Sequence, residues 1–200
     1  MNLEQPKKSQ TELIFKEYKQ ITDSLEFKSW FKDSVVIDND GNPLLTYHSS
    51  TIKDFKGASL ERNEAATNWN SYGIYFSSNR QITEAYFRES HEDKQKELDK
   101  YNSIPQEWRS KFDPKKINEI TNYFNNNENV VKTFSCFLKI EHPLILNNHS
   151  ELMNLHYSGT TRKSLMNDYD GIIIKHDSEF GDQYIVFSPD QIHMLPSILK

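Results

Sequence analysis

Apolar positions in residues 9–31 recur three and four apart. Leu13, Ile14, Tyr18 and Ile21 make one stripe, and Leu25, Phe27, Trp30 and Phe31 make a second after a break near Asp23-Ser24. This spacing predicts N-terminal helices that cover one face of a core. From residue 35 the period falls to two. Residues 35–37 read as a strand, residues 38–43 are dense in turn formers, and residues 44–48 read as the returning strand, with Leu44, Thr46 and His48 on one face. Gly73-Ile74-Tyr75-Phe76 is a second β-run. It breaks at Ser77-Ser78-Asn79, residues suited to an N-cap, and passes into helical spacing through Ile82, Ala85, Tyr86 and Glu89. Tyr75 is expected to end this strand and Tyr86 to sit in the second turn of the helix, so the corner carries two phenols to one cleft. By pattern alone they read equally as core tyrosines.

The remainder follows the same two periods. Residues 89–100 are almost entirely charged or amide, and apolar anchors return only at Trp108, Phe112, Ile117, Ile120, Tyr123 and Phe124. Residues 91–129 therefore read as one or two amphipathic helices inserted into the core fold. Residues 131–140 form a strong strand in which Phe134, Cys136, Leu138 and Ile140 face one way and Thr133, Ser135 and Lys139 the other. Cys136 is then a core thiol. A short strand over 144–146, a helix capped by Ser150 running to about residue 157, a second helix over 161–167 and a buried strand over 170–174 complete the middle. The closing segment is Asp182-Gln183-Tyr184-Ile185-Val186-Phe187-Ser188-Pro189-Asp190-Gln191-Ile192. One α+β domain over residues 1–200 accommodates all of this, with a core from 34–88 and 131–195.

Composition narrows the class. Hydrophobic residues at 36% can build one core with a wide polar shell. The mean hydropathy of −0.79 fits a charged excursion such as 91–129. A net charge of −5 and the absence of a basic cluster count against a nucleic-acid partner. No stretch approaches the roughly 20 apolar residues that span a bilayer, so no membrane association is expected. Residues 1–10 carry no apolar signal segment and the lone Cys136 rules out an internal disulfide. Both suit a protein working in a cytosol, its own or a host cell's after delivery without a standard signal peptide. No Cys/His spacing suggests zinc and no glycine-rich phosphate loop appears, so no metal is expected.

The corner motif carries a resemblance. Gly-Ile-Tyr-Phe with Tyr86 eleven positions after Tyr75 resembles the nicotinamide pocket of ADP-ribosyltransferases of the diphtheria-toxin and poly(ADP-ribose) polymerase type. The resemblance implies a split β-sandwich, NAD as co-substrate, and two tyrosines sandwiching the nicotinamide ring, which gains from stacking and cation–π attraction. Thr83 stands where the family often has a hydroxyl bonded to the carboxamide. The segment from Leu44 to Ser50 is similar to the family strand ending in His-Gly-Ser or His-Ser-Thr. His48 is then expected to hold the adenosine-side ribose and orient the NAD backbone. Ser49 would receive the carboxamide through its main chain, with Ser50 completing the segment. Tyr184-Ile185-Val186-Phe187 resembles the closing strand, which in the family follows a catalytic glutamate. That position is Gln183. The resemblance thus implies His48, Tyr75 and Gln183 as the catalytic set and His48, Ser49, Ser50, Tyr75, Thr83 and Tyr86 as the NAD-binding set.

Glutamine changes the expected chemistry. Breaking the nicotinamide–ribose bond builds positive charge on the ribose, and an amide offers a dipole where the family offers a charge. Two carboxylates, Asp182 and Glu179, lie close enough in sequence to be considered as substitutes, although alternation aims Asp182 at the opposite sheet face. Position 181, which informs on the acceptor in arginine-directed members of the wider superfamily, is glycine. The expected activity is transfer of a single ADP-ribose to a protein side chain, as a bacterial effector or toxin or a phage-encoded modifier. The alternatives are a catalytically silent NAD- or ADP-ribose-binding module, and a nucleic-acid-directed transferase or RNA 2′-phosphotransferase-like enzyme.

Overall fold

A computed structural model of the chain describes residues 16, 18–50, 72–126, 132–175 and 181–195, apart from the side chains of residues 86, 110, 111 and 126. The period-two runs form β1 (Thr46–Ser50), β2 (Ile74–Ser77), β3 (Lys132–Leu138), β4 (Pro143–Leu146), β5 (Gly171–Ile174), β6 (Gln183–Val186) and β7 (Ile192–Met194). The helices are α1 (Leu25–Phe31), α2 (Arg80–Ser103), α3 (Pro114–Asn126), α4 (His149–Tyr157) and α5 (Arg162–Leu165). One seven-stranded sheet runs β4-β5-β6-β2-β1-β3-β7, antiparallel except for the β4–β5 pair.

The joint between β1 and β2 is thin. Their ladder consists of the single pair Tyr47–Ser77, whereas β1 pairs with β3 over five residues and β2 with β6 over four. The core explains why. Cys136 and Leu138 of β3 pack in one buried cluster with Ile173 of β5 and Tyr184 and Val186 of β6. In a flat sheet β3 and β5 would lie four strand steps apart, about 19 Å. The two halves must therefore fold toward each other about the β1–β2 joint, enclosing this cluster as the filling of a split sandwich. The outer face of the β2–β6–β5–β4 half packs Ile172, Ile174, Ile185 and Phe187 against Leu152 of α4 and Leu165 of α5. The outer face of the other half packs Phe137 against Phe27 and Phe31 of α1.

Several elements differ from expectation, each for a local reason. Residues 35–37 make one bridge, Ile37 to Pro43, because the Asp38 carboxylate gathers the N–H groups of Asp40 and Asn42 (2.9 and 2.8 Å) into a loop. The returning strand accordingly begins at Thr46 and not at Leu44. Strand β2 continues past Tyr75 to Ser77, because β6 pairs with it as far as Ser77–Gln183. Asn148, not Ser150, caps α4 by accepting from Glu151 N at 3.1 Å. Helix α5 stops at Leu165, short of residue 167. Leu25 is exposed and stands off the apolar stripe. The helix of the tyrosine corner does not end before the charged stretch. It runs unbroken from Arg80 to Ser103, and α3 folds back on it, with the Lys94 ammonium 5.0 Å over the Tyr123 ring and His91 Nδ1 3.0 Å from the Tyr123 hydroxyl.

Gln191 staples the closing segment. Its side-chain oxygen accepts from Phe187 N and Ser188 N, and its amide nitrogen donates to Lys139 O and Asp170 O, at 2.7–3.0 Å throughout. The Ser-Pro-Asp-Gln turn thereby ties β6 to the ends of β3 and β5. Cys136 is buried and its thiol is pushed up to about 12, so it stays protonated as a core group.

Gly73 sets the entry to the tyrosine corner. A Cβ at this position would lie 2.2 Å from the main-chain oxygen of Val186. Gly73→Ala must push β2 from β6, costing about 2–3 kcal/mol. For a domain of this size that lowers the melting temperature by roughly 5–10 °C, measurable by circular dichroism. An unchanged melting temperature would show that this backbone approach is not required.

Candidate active site

The residues singled out by sequence gather on three neighbouring strands, β6, β2 and β1, and on the helix above them. Asn79 turns the chain from β2 into α2, its side chain accepting from Gln81 N and Ile82 N at 3.0 and 3.3 Å. The helix then packs over β1, β2 and β3. Alternation along β2 sends Ile74 and Phe76 into the inner core and Tyr75 to the outer face. Gln183 opens β6 directly opposite Ser77, and the register puts both on the outer face with Tyr75.

His48 enters from the other side. It is paired with Phe134 across β1–β3, and its ring lies 5.4 Å from that of Phe76. Its Nδ1 sits 2.7 Å from the Tyr75 carbonyl oxygen. A carbonyl can only accept, so Nδ1 carries the proton and Nε2 is the lone-pair nitrogen. Burial pushes the His48 pKa down to about 4, outweighing the hydrogen bond to Tyr75, which acts to raise it. The imidazole is neutral at physiological pH, with Nε2 suited to accept from a hydroxyl.

The other expected residues are placed as follows. Ser49 and Ser50 are buried. Ser49 opposes Thr133 on β3, with the two hydroxyl oxygens 2.9 Å apart. The Thr83 hydroxyl donates back to Asn79 O within the helix at 2.9 Å, so any contact with a ligand would use its lone pairs. Tyr86 lies in the second turn of α2, but its side chain is outside the described residues, as is the whole of Glu179. Asp182 is committed elsewhere: its carboxylate is ion-paired with Lys175, and burial together with its charge raises the pKa of the Tyr184 phenol, on the face opposite Gln183. Its main chain is latched to Ser78, with Asp182 N donating to Ser78 Oγ at 2.9 Å and Ser78 N donating to Asp182 O at 3.0 Å. Gly181 completes the latch, with φ of +69° and no room for a Cβ, which would fall 2.6 Å from Ser78 Oγ.

Sequence reasoning missed a carboxylate. Glu84 sits on α2 with Arg80 Nε 2.8 Å from its Oε1. That hydrogen bond, with help from Thr133 and the charges of Arg80 and Arg88, holds its carboxyl below the usual carboxylate range against the opposing effect of burial. The i,i+4 spacing of Arg80 and Glu84 was a visible signal. The contact with Thr133 depends on the β1–β3 register and has no local one.

A mixed sheet folded about a thin β1–β2 joint, with helices on its outer faces, defines an α+β ADP-ribosyltransferase fold. The family model described as ADP-ribosyltransferase in polyvalent proteins matches residues 38–195, well over half of the chain, and the chain belongs to that family, of bacterial or phage type. Comparison with curated proteins and with solved structures gave no match. The family uses NAD as substrate, and ADP-ribosyl transfer is the activity class of this chain.

The state of His48 is directly measurable. The unfolded chain protonates it near 6.5, and the folded chain holds it neutral to about 4. Its contribution to stability is therefore complete above pH 6.5 and is lost as pH falls from 6.5 toward 4. The His48 imidazole should keep its neutral-state NMR shifts at pH 5.5. Titration with a midpoint near 6.5 would show that the ring is not held as described.

Proposed function

We propose that the chain moves one ADP-ribose from NAD to a protein side chain and releases nicotinamide. The observation that carries this reading is the meeting of His48 and Tyr75 where β1 parts from β2, with Gln183 on the next strand. In this reading the nicotinamide ring stacks on Tyr75 with Tyr86 as the opposing ring. His48 Nε2 accepts from a ribose hydroxyl, and the Ser49 main chain holds the carboxamide. The electrons of the broken glycosidic bond leave with nicotinamide, and positive charge develops on the ribose carbon. The Gln183 amide meets that charge with its dipole alone. Losing one preorganised electrostatic group costs about 10²–10³ in rate, or about 3–4 kcal/mol. That slows an enzyme without silencing it. The amide at position 183 also offers no carboxylate to take a proton from a second ribose hydroxyl, which supports single transfer over chain growth. A cytosolic setting, the chain's own or a host's, belongs to the same proposal.

The direct test is incubation of the protein with labelled NAD and a cell lysate. One or a few labelled protein bands, with free nicotinamide, are expected. The glutamine itself favours a second reading, a module that binds NAD without turning it over. Micromolar NAD binding by calorimetry, with neither labelled protein nor free nicotinamide, would replace the first reading by the second.

Substitution at Gln183 separates these readings further. Gln183→Ala should lose most of the NAD cleavage. Gln183→Glu should accelerate it, by up to about 10²-fold, because Asp182 is turned to the other face and paired. Parental NAD cleavage in both variants would remove Gln183 from the reaction centre. Tyr86→Ala should weaken nicotinamide binding by roughly 1 kcal/mol, with Tyr86→Phe much milder. Unchanged NAD affinity with a lowered melting temperature would make Tyr86 a core residue.

A further inference from the structure

Ser49, Thr133 and Glu84 form a chain of hydroxyls from the floor of the cleft to its helical wall. Ser49 Oγ and Thr133 Oγ1 are 2.9 Å apart across the β1–β3 ladder, the Thr133 hydroxyl acts to hold the Glu84 carboxyl below the usual carboxylate range, and Arg80 Nε lies 2.8 Å from Glu84 Oε1. The Glu84 carboxylate can only accept, so a Thr133 proton turned toward it leaves the Thr133 oxygen to accept from Ser49.

Glu84 is not a replacement for the missing catalytic charge. Thr133 is on β3 and Gln183 on β6, three strand steps apart in the order β6-β2-β1-β3 and on opposite sides of the β1–β2 joint. What the chain does control is Ser49. Among the described residues β1 pairs with β2 at Tyr47–Ser77 alone, and Ser49 is positioned by its place opposite Thr133 on β3 and by the contact of the two hydroxyls. A carboxamide needs a donor and an acceptor held in place together, and small misplacements at such contacts are costly.

We propose that Thr133 and Glu84 are positioning residues for the nicotinamide end of NAD, acting through Ser49 and tying α2 to the cleft floor. The proposal rests on the NAD reading above and adds to it residues outside the expected NAD-binding set. It accounts for a carboxylate paired at once with a helix arginine and a strand hydroxyl.

The test uses the full chain, with steady-state NAD cleavage, inhibition by added nicotinamide, and thermal melting measured together. Thr133→Val keeps the shape and removes the hydroxyl. It should raise KM for NAD and the nicotinamide inhibition constant about tenfold, the size of one lost hydrogen bond, with kcat changed much less. Thr133→Ser should restore both values. Glu84→Gln should give an intermediate rise, since an amide oxygen still accepts from Thr133 but carries no charge. Melting temperatures should stay near the parent's, which a merely structural role would not allow alongside a KM defect. Parental KM and nicotinamide inhibition in either Thr133→Val or Glu84→Gln would overturn the proposal, as would a Thr133→Ser variant no better than Thr133→Val. A parent protein that neither binds nor cleaves NAD would instead bring down the NAD reading, and this proposal with it.

Discussion

The 2.7 Å hydrogen bond from the His48 imidazole to the Tyr75 carbonyl lies where β1 leaves β2, and the rest of the structure depends on that parting. Two adjacent antiparallel strands tend to zip along their whole length, since each unpaired buried peptide group costs free energy. Here the ladder stops after one pair. A side chain from β1 takes the carbonyl of Tyr75. The strands can then diverge, the two halves of the sheet fold toward each other, and a single apolar cluster from Cys136 to Val186 fills the space between them. The same bond fixes the proton on Nδ1. One contact thus sets a ring tautomer, spares a buried carbonyl and marks the hinge of the sandwich.

The organisation of the sheet was partly legible because most strands announce themselves by period. Residues 133–136 alternate, and Phe134, Cys136 and Leu138 do share the inner face, while Phe137 is buried on the outer one. The β6 register was legible from Tyr184-Ile185-Val186-Phe187 through its resemblance to the family's closing strand, since all four side chains are apolar and the pattern alone marks no phase. Boundaries failed where side chains compete with the ladder. Asp38 captured two backbone N–H groups and reduced an expected strand to a bridge. Asn148 displaced Ser150 as a cap, two residues of similar capping strength that local pattern cannot rank.

The candidate site shows the same division. The meeting of His48 and Tyr75 was foreseen only through resemblance, because a bond from an imidazole to a carbonyl 27 residues later has no periodic signature. Glu84 and Thr133 lie 49 residues apart in the chain, and their contact exists only once β3 has paired with β1 and α2 has packed above. Position 181 is the instructive case. As a missing acidic residue it carried no information on the acceptor. As a glycine at φ +69° pressed on Ser78, it is a backbone requirement of the turn that delivers Gln183 to β6.

The charges around the cleft then form a consistent pattern. The two described carboxylates discussed above are each held by a cation, Asp182 by Lys175 and Glu84 by Arg80. For Glu84 that pairing holds the carboxyl below the usual carboxylate range, so it is a weaker base than an ordinary carboxylate. His48 is neutral for a different reason, the burial that pushes its pKa down. On the reading proposed above, such a cleft would hold its substrate by stacking, by hydroxyls and by main-chain groups. Any acceleration it gives must come chiefly from orientation, a term that can reach several kcal/mol when the reacting groups are held in place. That is why the hydroxyl chain behind Ser49 matters more here than it would in a site armed with a carboxylate.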